Sequence, residues 1–138
     1  MQDYYYGDFA ILRRGRILEI FVGGEWNQQM ATAFAECFFE LVSELDGQEF
    51  ATLVHVAEFV LGTPEFQQVI AAGAQQAVEA GMRREAYVIF GGGIKLAQFS
   101  AMTPVTGEYQ RRYFVSYIDA ISWLQNEGYA LEAKPGMD

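Results

Sequence analysis

Cysteine occurs once in this 138-residue chain, histidine once and proline three times. The lone thiol, Cys37, cannot close an internal disulfide, so oxidative stapling has no part in the fold, which agrees with a reducing compartment. One imidazole and one thiol make no metal-ligand cluster. No Ser-His-Asp order or paired-carboxylate spacing stands out, and neither a metal nor a cofactor is expected. Positive charge is also scarce: nine Lys and Arg face eighteen Asp and Glu, for a net charge of −9. The arginines are scattered at 13, 14, 16, 83, 84, 111 and 112, which disfavours nucleic-acid binding. An acidic surface repels anionic membranes and suits a basic protein partner, although solubility alone explains the same charge. No apolar run approaches the ~18 residues of a membrane helix. The opening Met1-Gln2-Asp3-Tyr4 lacks the basic and apolar regions of a secretory signal. The expectation is a cytoplasmic protein without membrane insertion.

Apolar residues, by contrast, make up 51% of the chain and include eleven Phe, ample for a core. The length suits one domain, burying roughly 68% of its unfolded surface. Two strand-like runs, Tyr4 to Leu12 and Ile17 to Val22, flank Arg13-Arg14-Gly15-Arg16 and read as an antiparallel hairpin. Helix and strand then alternate, the pattern of βα units and a mainly parallel sheet. From about Gln28 to Leu45, Met30, Phe34, Cys37, Phe38, Leu41 and Leu45 recur on one helical face, and Asp46-Gly47 supplies the stop. Phe50 to Val56 reads as a strand buried on both faces.

Thr63-Pro64-Glu65 opens a second helix with an N-cap hydroxyl, a proline at the first helical position and an acid at the positive helix end. This helix runs to about Ala80 and ends at Gly81. A strand at Ala86 to Phe90, the Gly91-Gly92-Gly93 turn and a short helix at about Ile94 to Met102 follow. The last strand, about Arg112 to Val115, leads to a final helix opened by Ser116 and Asp119, with Tyr117, Ala120, Ile121 and Leu124 as its apolar stripe and Trp123 beside it. The expected architecture is a single α/β domain over 1–132, with a tail at 133–138. Its sheet is mixed, mainly parallel and five-stranded, opened by the hairpin and accompanied by about four helices.

This order of elements resembles the SpoIIAA-like (STAS/SEC14-like) domains related to bacterial anti-sigma-factor antagonists. Gly24-Glu25-Trp26 after the second strand and the ending Tyr113-Phe114-Val115-Ser116-Tyr117-Ile118-Asp119-Ala120-Ile121-Ser122-Trp123-Leu124 carry the resemblance. It implies a small domain without catalytic activity that serves protein interaction or shelters a small apolar ligand. In the antagonists a phosphorylatable Ser in an Asp-Ser context lies where the third strand meets the second helix. The corresponding segment here, His55 to Glu65, holds Thr63 but no Asp-Ser pair. A phosphate on Thr63 would suit the helix N-terminus, and a plain cap hydroxyl explains the same residue.

Other candidates gather at the carboxyl edge, where open α/β sheets bind ligands. His55 stands there with Glu58 close in sequence, as an acid/base pair or as a satisfied structural histidine. Gly91, Gly92 and Gly93 offer backbone N–H groups to an anion, or simply make a turn, and no Lys-Ser or Lys-Thr follows to make a P-loop. Tyr87, Phe90, Phe99 and Met102 either line an apolar pocket or fill the core. Phe39 projects away from the apolar face of the first helix, among Glu36, Glu40 and Glu44, as a candidate interface. The expected role is protein interaction, with a partner or as a homodimer. The alternative is a carrier of a small apolar or lipid-like ligand.

Overall fold

The computed structural model describes residues 3–6, 9–24, 28–59, 64–89 and 108–132. Six strands form one sheet in sequence order: β1 (Asp3–Tyr6), β2 (Phe9–Arg14), β3 (Ile17–Gly24), β4 (Phe50–Phe59), β5 (Met82–Ile89) and β6 (Gln110–Phe114). β1 pairs with β2 and β2 with β3 in antiparallel fashion, whereas β3 to β6 run parallel. The mainly parallel α/β architecture is therefore as expected, and Phe50 to Val56 lies inside the sheet between β3 and β5. The strand count differs by one. The first apolar run is interrupted at Gly7-Asp8, and the residues before the interruption pair back as a separate edge strand, with Tyr6 opposite Phe9.

Three helices are described: α1 (Gln28–Glu44), α2 (Pro64–Ala80) and α3 (Tyr117–Asn126). The helix expected at about Ile94 to Met102 and the tail at 133–138 lie outside the described residues. Strand alternation divides the core in two. Leu18, Ile20, Phe50, Val54, Tyr87 and Ile89 face one side, where Ala31, Phe38 and Leu41 of α1 and Ala77 of α2 cover them. Ile17, Ala51, Leu53, Ala86 and Val88 face the other, under Ala120 and Leu124 of α3 and Tyr129 beyond it. The small side chains Ala51 and Ala86 beneath Ala120 let α3 sit close to the sheet.

Local chemistry explains the joints. Gly15, at the first central position of the two-residue turn between Arg14 and Ile17, has φ +69°, which a type II′ hairpin requires and glycine alone supplies without strain. Gly81 ends α2 at φ +125°, and an added Cβ there would stand 3.1 Å from the Gln48 carbonyl. Ser116 caps α3 as expected: its Oγ accepts the Asp119 N–H at 3.3 Å. Trp123 packs against the α3-side core beside Leu124, which is fully buried.

Candidate functional site

Among the apolar residues of β3 stands a carboxylate. Glu19 is 2% exposed, on an interior strand, facing the α3 side. Its Oε1 accepts Arg14 Nη1 at 2.8 Å from β2, and its Oε2 lies 2.8 Å from His55 Nε2 on β4. The Tyr117 hydroxyl of α3 donates to the same Oε2 at 3.3 Å. Parallel register explains the meeting: Glu19 is opposite Leu53, so His55 is two residues further along on the same face. Burial pushes the Glu19 carboxyl up, but the hydrogen bonds and charges of His55 and Arg14 outweigh it and hold the group below its ordinary range. An ionised carboxylate only accepts hydrogen bonds, so His55 Nε2 carries its proton.

Aromatic rings continue this cluster to the surface. His55 stacks flat on Phe21, its neighbour in register, with centroids 4.3 Å apart and 5° between planes. On Tyr117 it lies tilted at 5.0 Å. Phe21 is 37% exposed, and Val115 and Ile118, which flank the cap of α3, are 77% and 67% exposed. Arg14 also ties the segment after α3 to the sheet, its Nε donating to the Glu132 carbonyl at 2.6 Å. One carboxylate thus joins β2, β3, β4 and α3.

A second buried carboxyl, Glu85 of β5, lies on the α1/α2 side of the sheet with Thr52 as its register partner. The Tyr109 hydroxyl donates to its Oε1 at 2.6 Å. Burial dominates here and raises the carboxyl, despite hydrogen bonds from Tyr109, Thr52 and Tyr87. Burial, then the charge of Glu85, likewise pushes the Tyr87 phenol well above its usual value. Burial thus shifts Glu85 toward its neutral form, whereas Arg14 and His55 shift Glu19 toward its ionised one. Among the described residues, no three His, Cys, Asp or Glu gather to hold a metal ion. Nor is any described helix long and apolar enough to cross a membrane.

Comparison with known proteins agrees with the architecture. No protein-family model matches the chain, and no curated protein sequence does. Among solved structures, the chain is similar to an uncharacterised protein of the DUF3478 family with a SpoIIAA-like fold from Shewanella loihica PV-4. The match has a TM-score of 0.67 at 15% identity, over 90% of this chain and 99% of that one. The fold is SpoIIAA-like.

Within this SpoIIAA-like fold, the expected carboxyl-edge residues are only partly brought together. His55 is half-buried in the middle of β4, and its partner is Glu19 rather than Glu58. Glu58 lies in β4 opposite Gly23, just past a register shift at Val22/Gly23. Thr63 and Gly91 to Gly93 lie outside the described residues, as do Phe90, Phe99 and Met102. Tyr87 is buried in the α1/α2-side core and stacks on Tyr113 at 5.3 Å. Phe39, expected to stand exposed, is half-buried against that core, at the edge of Phe38 with centroids 5.0 Å apart. α1 contacts α2 as well as the sheet, so a wider arc of it is covered than sheet contact alone requires. Glu19, Arg14, Tyr117, Glu85 and Tyr109 were not anticipated. Their signal was present in part: a single acid within Ile17-Leu18-Glu19-Ile20-Phe21 breaks an otherwise apolar strand.

Proposed function

We propose that this chain is a non-catalytic STAS-like domain of the cytoplasm that acts by protein interaction, through the carboxyl edge of its parallel strands on the α3 side. The observation that carries this reading is the exposure of Phe21, Val115 and Ile118 around the Phe21–His55–Tyr117 ring contacts. Exposed large apolar side chains gathered at one end of a sheet mark a contact surface better than scattered ones do. Glu19, engaged by Arg14, His55 and Tyr117, fixes the His55 and Tyr117 rings rather than serving as a free base. Such a rigid edge can dock a partner at little ordering cost. Thr63, Glu58 and Gly91 to Gly93 belong to the same proposed edge as a place for modification or anion contact, and Phe39 is proposed as a separate contact on α1.

Native mass spectrometry of the freshly purified chain tests this reading. The expected result is a protein–protein assembly with no retained small molecule. A monomer carrying an apolar molecule would overturn it in favour of a lipid-like carrier, with Tyr87, Phe90, Phe99 and Met102 as the lining to examine.

A further inference from the structure

We propose, resting on the contact reading above, that Arg112 takes a carboxylate of the protein partner, so that the α3 side selects a peptide segment in which an acidic residue stands beside apolar ones. Strand alternation puts Arg112 on the same face of β6 as Phe114, whose ring packs with Trp123 against the α3-side core. The guanidinium carbon lies 5.3 Å from the centre of the Phe114 ring and 5.7 Å from that of Trp123, and the two rings are 5.8 Å apart. Both rings are half-buried and Arg112 is exposed, so the three make a surface cluster. Phe114 is followed in the chain by the exposed Val115.

Other arginines are differently employed. Arg13, Arg14, Arg16, Arg83 and Arg84 each donate to a backbone carbonyl or a carboxylate of the chain. Among the described residues, Arg112 meets the Phe114 and Trp123 rings but has no hydrogen bond or ion pair. In a chain with eighteen acidic side chains against nine basic ones, it is a positive charge that the fold has not neutralised. Contact with ring faces orients a guanidinium without using its N–H donors, which form a planar fork that matches a carboxylate at two points. Little side-chain freedom is then lost on binding. Trp and Arg are also the residue types that dominate binding energy at protein interfaces. A single charge selects the occupant: phosphorylated segments and nucleic acids are held by several cations together. Arg84, opposite Gln110 in register, could join Arg112 on this face, but it is already bound to Glu127 at 2.6 Å and to the Glu108 carbonyl at 2.7 Å. One carboxylate needs one guanidinium, and the flanking rings suit apolar neighbours of that carboxylate.

A synthetic array of random heptapeptides, with Asp, Glu, Lys, Arg and phosphoserine all represented, is probed with the full chain. The expected binders carry Asp or Glu beside Leu, Phe or another apolar residue. Changing that acid to its amide, or Arg112→Gln in the chain, should weaken binding about tenfold to a hundredfold, the loss of hydrogen bonding between charged groups. Arg112→Glu should turn the preference toward Lys and Arg. In the wild-type chain, the NMR signal of the Arg112 Nε–H should shift when a binder is added, which decides the matter even if a variant fails to fold. A lack of binders, binders without an acid, a preference for phosphoserine over Glu, or an Arg112 signal that stays in place overturns the proposal. Binding that is lost in Ile118→Asp but indifferent to Arg112→Gln also overturns it, while leaving the contact reading intact.

Discussion

Acid acts on Glu19 and Glu85 in opposite senses, because Arg14 and His55 lower the Glu19 carboxyl whereas burial raises that of Glu85. The folded-state pKa of Glu19 lies below its unfolded value, about 4.3 for a free Glu. Its stabilising contribution is therefore complete above that value and is lost as pH falls through the folded one. For Glu85 the folded value is raised, so its favourable contribution is complete below about 4.3 and is lost as pH rises through the folded value. Urea denaturation at a series of pH values checks both signs. Glu19→Gln should lower stability at neutral pH, with a deficit that narrows in acid. Glu85→Gln should raise stability at neutral pH, with a gain that fades in acid; a change of the same sign in both variants would refute this assignment. Removing the ring in His55→Ala deletes a hydrogen bond to a charged group and should cost about 1.5–3 kcal/mol. The imidazole was visible in the sequence as the only one, but its partner was not. Glu58 is near in sequence, whereas Glu19 reaches His55 only through parallel β3–β4 register, which no local spacing encodes.

α3 shows how far an element can be read from its own residues. The Ser116 cap and the stripe of Tyr117, Ala120, Ile121 and Leu124 were legible because capping and amphipathic spacing are local. Leu124 is fully buried against the sheet, so Leu124→Ala should cost on the order of 2–5 kcal/mol in chemical denaturation, and no loss would mean that α3 is not anchored there. Ser116→Ala should cost about 0.5–2 kcal/mol, since the Asp119 N–H loses its acceptor. On α1, spacing marked the sheet-facing stripe but not Phe39, whose cover comes from a wider packing arc involving α2. Phe39→Glu should therefore lower the melting temperature as well as disturb any contact made by that flank; an unchanged melting temperature with altered sedimentation would assign Phe39 to an interface alone. β1 was merged with β2 for a related reason. Both segments have strand-forming residues, and the interruption at Gly7-Asp8 is too short to announce itself against a nine-residue apolar run.

At the scale of the molecule, the alternation of helix and strand was enough for the SpoIIAA-like architecture, because β3 to β6 follow one another in the sheet as they do in the chain. The carboxyl edge of the parallel strands was the expected location of a site, and of the cluster described around Glu19 only His55 was legible in the sequence. Glu19 and Tyr117 come to His55 from 36 and 62 residues away, through register and helix packing. Surface exposure of Val115 and Ile118 could not be separated from core packing in a sequence where both continue apolar runs. The central claim is that this domain works by contact at that edge rather than by chemistry within it. A photo-crosslinking amino acid placed at Ile118, with Gln125 further along α3 as an exposed control, tests it most directly in living cells of the source organism. The account predicts a discrete protein adduct from position 118 that is absent from position 125 and is abolished by Phe21→Asp; the same diffuse labelling from both positions would contradict it.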